Sequence, residues 1–298
     1  FLCIHLYLKH RNKRERWKSR RNGCFHPVNR LAIQKTCKNS MKSHIKMRLG
    51  IISALHEEQQ GLVEAMQGPQ RRSHGMRDYT LGTLWNIDAV CVLSRLGKVA
   101  AAMTASILVE KYGVTHIVFT GVAGSGDKHV KVGDIVVAEA LLQHDMDARP
   151  LFPRFEVPLT GLQRFATDLE LSTQLAAAAE DFLRDDVSSV LKAADIAAFG
   201  LQHAQVHRGL IASGDQFISS AAHLNQLKVD IPDLLAVEME GAAVAQVCFE
   251  LGVPFTVMRT ISDNANEEAA VDFMRFVQTV ASPYAFTVIQ QLCQRLAG

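Results

Sequence analysis

The chain has 298 residues, 48% of them apolar, which suffices for one large core or two small ones. Its 32 Lys and Arg nearly balance 30 Asp and Glu, but residues 1–46 hold 13 of the basic residues and one acid, Glu15, a net of +12. Residues 47–298 therefore hold 19 basic and 29 acidic residues, a net of −10, which argues against a nucleic-acid enzyme, since phosphate binding needs clustered Lys and Arg.

The basic piece runs Phe1-Leu2-Cys3-Ile4-His5-Leu6-Tyr7-Leu8 and then into a Lys/Arg-rich stretch through Arg21. A secretory signal has charge first and an apolar run second. Here the order is reversed, and the apolar run is too short to cross a bilayer. Residues 1–46 read as a basic N-terminal extension, disordered or non-native, ahead of a single domain at 47–298. The six cysteines (Cys3, Cys24, Cys37, Cys91, Cys248 and Cys293) form no CxxC. The last three sit in apolar runs, as buried thiols of a cytoplasmic protein would. No zinc-ligand spacing occurs among the histidines. His144-Asp145-Met146-Asp147 reads as a polar cluster at a strand end rather than as a metal site.

In chain order, Arg48–Ala54 predicts a buried first strand. His56-Glu57-Glu58 opens a predicted helix through Leu62 and Met66. Tyr79–Ser94 alternates around Asn86-Ile87-Asp88, a hairpin with a polar turn. Gly97–Tyr112 is predicted helical, with Val99, Met103, Ile107 and Leu108 at helical spacing. Thr115–Thr120 is a strand entering the small-residue loop Gly121–Gly126, which is neither a Walker loop nor a dinucleotide fingerprint. Val132–Val137 is a strand, 149–160 a Pro-rich loop, and Leu171–Leu183 a helix. Val206–Ser213, Leu234–Met239 and Val253–Ile261 are strands. Gly241–Leu251 and Ala269–Leu296 are helical, the second broken at Pro283. Strands alternating with helices, without repeats or a linker, predict one α/β domain with a mostly parallel or mixed sheet.

Two strand ends carry acids, in Ala236-Val237-Glu238-Met239-Glu240-Gly241 and Arg259-Thr260-Ile261-Ser262-Asp263-Asn264. Open α/β folds place ligands at such ends. Glu58 follows the first strand, and Phe217 follows Ser213-Gly214-Asp215-Gln216. Gathered together, two carboxyls can divide base and acid roles, as in glycoside hydrolysis. A third can accept from ribose hydroxyls, and an aromatic offers a face to a flat ring. Each residue alone has a bland reading: Ser262-Asp263 as a helix cap, Glu57-Glu58 as acids of a first helical turn, Phe217 as core. Glu238 and Glu240, one strand period apart, either share a face or leave one solvated.

The joint order of Ile51–Glu58, Thr120–Gly124, Val132–Val136, Ser213–Phe217, Val237–Glu240 and Arg259–Asp263 resembles the bacterial 5′-methylthioadenosine/S-adenosylhomocysteine nucleosidases, within the purine nucleoside phosphorylase superfamily. The likeness runs from about Met47 to the C-terminus. It implies a three-layer α/β/α sandwich around a mixed, partly barrel-like sheet, and a homodimer. It implies no metal, no organic cofactor, no nucleic-acid partner and no membrane. It makes Glu58 the base that activates water and Asp263 the acid on adenine N7. Glu240 would hold the ribose hydroxyls, with Met239 beneath the sugar and Arg259 near sugar and water. Phe217 would stack on adenine, the Ile218 backbone would read its edge, and Gly124 would line the sugar–base side. Leu55 and Leu96 would face the 5′-thioether, and Phe273 would reach the partner subunit's pocket. This chain departs from the family at Val122, where many members have Ser, and in the Arg149–Thr160 and 186–205 segments, which bear on the 5′ substituent. Phosphorylase relatives place arginine in the loop after the first strand, where this chain has Ser53-Ala54-Leu55-His56-Glu57-Glu58. Two acids there would repel phosphate, so the expected reaction is hydrolysis, with Arg95 and Arg259 as the cations that a phosphorylase would use instead. A phosphate-dependent nucleoside phosphorylase and a non-catalytic nucleoside-binding module are the alternatives.

Overall fold

The computed structural model describes residues 47–263 and 273–298. The expectations for residues 1–46, for Asn264 and for a helix beginning at Ala269 lie outside them. Eleven strands form one mixed sheet: β1 (Arg48–Ser53), β2 (Gln67–His74), β3 (Arg77–Leu84), β4 (Ile87–Leu93), β5 (His116–Phe119), β6 (Val122–Ser125), β7 (Ile135–Gln143), β8 (Phe165–Ala166), β9 (Val206–Ser213), β10 (Leu234–Glu238) and β11 (Phe255–Asp263). Their order is β2-β3-β4-β1-β5-β11-β6-β10-β9-β7-β8, and β11 also pairs with β7. That last pairing closes β11, β6, β10, β9 and β7 into a five-stranded barrel, with β2, β3, β4, β1 and β5 as an open wing. The long helices are α1 (Lys98–Tyr112), α2 (Leu169–Asp181), α3 (Ala221–Asp230), α4 (Gly241–Leu251) and α5 (Ser282–Ala297).

Strand alternation sorts the apolar residues onto two faces. Ala89 and Cys91 of β4 join Leu49 and Ile51 in a core under α2 and α5. Val90 and Val92 join Ile52, Ile117 and Phe119 in a second core under α1 and α4. These are the two helical layers of the expected sandwich. Both central strands are buried on both faces, which is why they read as continuous apolar runs. A smaller cluster of Leu210, Leu227, Ile231 and Leu234 packs α3 against the barrel.

Local chemistry sets the boundaries. The β3–β4 hairpin turns at Trp85 and Asn86, both with positive φ (44° and 70°), the turn class whose twist suits a two-residue hairpin. Asp168 caps α2 by accepting the Leu171 N–H at 2.8 Å. Pro283 does not break the C-terminal helical run as expected: a π-helical turn at Val277–Ala281 leads without interruption into α5, and Pro283 sits in the first turn after it.

Three further expectations are corrected, and one strand was not foreseen. The segment from His56 is a turn, because the Glu58 carboxylate folds back onto the Ala54 and Leu55 amides, and helix begins only at Gln60. Val122–Ser125, read as part of a glycine loop, is a strand held on both edges by β10 and β11, pairing that overrides poor propensity. The strand placed at Val132 starts at Ile135. Strand β2 was not foreseen, since it is exposed throughout and carries no apolar alternation.

Candidate active site

The strand ends converge on one cavity of about 190 Å³. The turn after β1 delivers Leu55 and Glu58, and the loop after β4 delivers Leu96. The β5–β6 junction delivers Gly121 through Gly124, and the loop after β9 delivers Gln216, Phe217 and Ile218. Strand β10 ends at Glu238, with Met239 and Glu240 in the turn that follows it, and β11 brings Arg259, Ser262 and Asp263. Phe273, expected in a partner's pocket, lines this chain's own cavity. All eleven residues singled out from the sequence border this one space.

Two local devices aim the acids. Along a regular strand, neighbouring side chains point to opposite faces. The β11–β6 ladder shifts register between Ile261 and Asp263, so Ser262 is an extra residue and both Ser262 and Asp263 border the cavity. Ser262 Oγ donates to Asp263 Oδ2 at 2.7 Å, which orients the carboxylate. Gly121 provides the second device. A Cβ there would stand 3.3 Å from Glu58 Oε1 and 3.5 Å from the Arg259 guanidinium carbon, so its absence lets the chain pass between them.

Glu58 is 2% exposed. Its Oε2 accepts the Ala54 and Leu55 amides, each at 2.9 Å, and its Oε1 has no hydrogen-bond partner among the described residues. Burial pushes its pKa up, while the Leu55 amide, the Arg259 charge and the Ala54 amide pull the other way, as does the Val122 amide without reaching hydrogen-bond geometry. One oxygen is thus fixed and the other is free to take a proton. Glu240 is also buried, and Oε1 accepts the Gly97 N–H at 2.7 Å. Burial and the neighbouring Glu238 carboxylate raise the Glu240 carboxyl from 4.5 to about 7. Phe217 is 58% exposed at the cavity, a large apolar ring presented rather than buried.

Sequence reasoning left Glu238 undecided between a shared face and solvent, and the structure makes it the hub of the site. It is 7% exposed. Its carboxylate accepts the Glu240 and Gly241 amides at the start of α4, the Ser213 hydroxyl and the Arg259 guanidinium. A Cβ at Gly241 would sit 2.6 Å from Leu141 Cδ2 and 3.3 Å from Glu238 Oε1, so glycine leaves room for both side chains. Arg259 is 1% exposed. Its Nη2 meets Glu238 at 2.7 Å, its Nη1 donates to the Phe119 and Met258 carbonyls, and the guanidinium lies 4.1 Å from the Phe119 ring centroid. Arg259 borders the cavity, but its charge is already matched. The signal for Glu238 was its place at a strand end beside Glu240; nothing in the sequence pointed to Arg259 as its partner.

Comparison with known proteins places the chain in a defined neighbourhood. The sequence pattern of the phosphorylase superfamily matches residues 48–293. A 5′-methylthioadenosine/S-adenosylhomocysteine nucleosidase of Shewanella frigidimarina is 34% identical over 248 residues, covering 83% of this chain and 100% of that protein. The corresponding nucleosidase of Neisseria meningitidis, solved in complex with methylthio-immucillin-A, superposes with a TM-score of 0.73 at 30% identity, over 83% of this chain and 99% of that one. An aspartate-to-asparagine mutant of the Helicobacter pylori nucleosidase, solved with 5′-methylthioadenosine in its active site, gives a TM-score of 0.70 at 30% identity, over 83% and 99%.

Two outcomes are expected from this electrostatic arrangement. Glu238→Ala and Arg259→Ala should each cost about 3–5 kcal/mol in denaturant unfolding, because each strands a buried opposite charge. The double variant should cost clearly less than their sum, and additivity would show the pair is not coupled. For Glu240 the folded pKa lies above the unfolded one, so the folded state holds the extra proton between 4.5 and about 7. Stability from this group is full below 4.5 and is lost as pH rises through about 7. Glu240→Gln should therefore flatten the pH dependence of the urea midpoint across that window, and a slope equal to the parent's would refute the assignment.

Proposed function

Because the chain belongs to the phosphorylase superfamily and, within it, to the 5′-methylthioadenosine/S-adenosylhomocysteine nucleosidases, we propose that it hydrolyses the N-glycosidic bond of those two nucleosides. The products are adenine and the 5-thio-substituted ribose. The observation that carries hydrolysis over phosphorolysis is the charge around the cavity: four carboxyl residues, Glu58, Glu238, Glu240 and Asp263, against one guanidinium that Glu238 already neutralises. A phosphate nucleophile needs an open cationic cradle. Arg95 does not border this cavity and donates instead to the Met76 carbonyl.

In this reading water adds to ribose C1′ as the bond from C1′ to adenine breaks through an oxocarbenium-like transition state. Glu58 Oε1 takes the water proton, and Oε2, held by two amides, keeps the carboxylate in place. Asp263 supplies a proton to adenine N7, so the base leaves as a neutral ring. Glu240 accepts from the ribose hydroxyls, with Met239 under the sugar and Gly124 beside it. Phe217 stacks on adenine and the Ile218 backbone reads its edge. Leu55, Leu96 and Phe273 bound the 5′-thioether. Arg259 acts on the sugar side through Glu238, as a positioning residue.

The protein is also proposed to be a homodimer whose active unit is residues 47–298. Val99 and Met103 of α1 are exposed apolar side chains, 81% and 42% accessible, and a second copy would cover them. No helix among the described residues is long and apolar enough to cross a membrane. The buried free thiols of Cys91, Cys248 and Cys293 fit a reducing cytoplasm, which cell fractionation would test.

Adenine release from 5′-methylthioadenosine should proceed at the same rate with and without phosphate. Asp263→Asn and Glu58→Gln should each lower kcat by about 10²–10⁴-fold while the nucleoside still binds. Phosphate dependence, or near-normal turnover by Asp263→Asn, would overturn the mechanism. Residues 47–298 alone should sediment as a dimer with full activity; an inactive or monomeric product would give the first 46 residues a role.

A further inference from the structure

A second cavity, of about 460 Å³, adjoins the first. The two share Ala54, and at two loops they divide neighbours between them: Leu55 faces the first and His56 the second, Leu96 the first and Arg95 the second. On the nucleosidase reading, on which this inference rests, Leu55 and Leu96 bound the 5′-thioether. A 5′ substituent longer than methyl that passes between these loops would reach the second cavity.

We infer that the second cavity is a carboxylate subsite for the amino-acid end of long 5′-thioether substrates, with Arg95 and Gln59 as its donors and the Arg77 guanidinium, whose N–H groups are already engaged, as a fixed positive charge beside them. Arg77 is 9% exposed, and its guanidinium meets only the Ser94, Gly75 and Ala100 carbonyls and the Met103 sulfur. Arg95 donates to the Met76 carbonyl. Neither has a carboxylate in salt-bridge range among the described residues. Two guanidinium charges thus border the cavity without a matching acid. Of the acids there, Asp78 is committed to Arg71 and Ser73, and Glu64 has a contact of its own.

Gln59 adds an independent observation. It is 6% exposed, and its Nε2 has no hydrogen-bond partner among the described residues. A buried amide donor left unsatisfied is uncommon, and Gln59 also borders the cavity. The backbone points the same way. Arg95 adopts φ +67°, a left-handed conformation that disfavours a long side chain. Such strain persists at sites where the side chain is used.

The test compares two adenosine 5′-thioethers of equal length, one ending in a carboxylate (carboxypropylthio) and one in an ammonium (aminopropylthio). The parent should favour the carboxylate in kcat/KM for adenine release by about tenfold, the usual worth of a charge-assisted hydrogen bond. Arg95→Gln, which keeps a donor and removes the charge, should bring that ratio close to one. Gln59→Leu should lower it by a smaller factor. A parent ratio at or below one, or a ratio that Arg95→Gln does not move, would overturn the subsite. Failure to release adenine even from 5′-methylthioadenosine would instead overturn the nucleosidase reading beneath it.

Discussion

The buried pairing of Glu238 with Arg259 is the constraint on which the rest of the site depends. It joins the end of β10 to the middle of β11, two barrel strands that are not neighbours in the sheet. The same carboxylate holds the first amides of α4, where the positive end of a helix favours an anion. Two charges inside a protein are costly to desolvate, and here the guanidinium and carboxylate meet that cost with a full set of hydrogen-bond partners. Once Glu238 is so placed, Glu240 must turn toward the Gly97 amide, and Arg259 can no longer serve as a free cation. The acidity of the cavity follows from this arrangement.

That acidity also separates the tasks of the carboxyls. Glu58 and Glu240 are both pushed toward their neutral forms by burial, yet they differ in what surrounds them. Glu58 keeps one oxygen without a partner and has Arg259 close by, so it is equipped to take a proton. Glu240 lies against another carboxylate and one amide, which suits a group that accepts from hydroxyls. Asp263 sits apart on a register shift, oriented by its own neighbour Ser262. Environment, rather than residue type, divides the chemistry.

The central strands and the helices α1, α2, α4 and α5 were legible in the sequence, because burial on both faces leaves unbroken apolar runs and because helix spacing survives in α2 and α4; α1 instead buries Ala101, Thr104, Ala105 and Leu108 and leaves the spaced Val99 and Met103 exposed, and α3 was not foreseen. Exposed β2 was not, since its existence depends on pairing with β3 rather than on its own residues. Nor was strand β6, whose glycines signal a turn until two neighbours bind its edges. In the site, the acids stood out by position after strands. What the sequence left open was the partner of each acid, because Glu238 and Arg259 are 21 residues apart and meet only through the barrel. Arg95 was visible only as a stray cation, and its second cavity exists because the β1 and β4 loops lie side by side.

Strand β11 has one further consequence. Its first residues pair with β5 in the open wing, its middle with β7, and its last residues with β6 in the barrel. Glu58 follows a wing strand and Asp263 ends a barrel strand, so the base and the acid belong to different halves of the sheet. One continuous strand spans both halves, and neither half can open without breaking hydrogen bonds of the other. The amides of Val257 through Thr260 should then exchange with solvent only through global unfolding. The spacing between base and acid is accordingly set by the cooperativity of the whole domain, leaving no hinge at which it can drift.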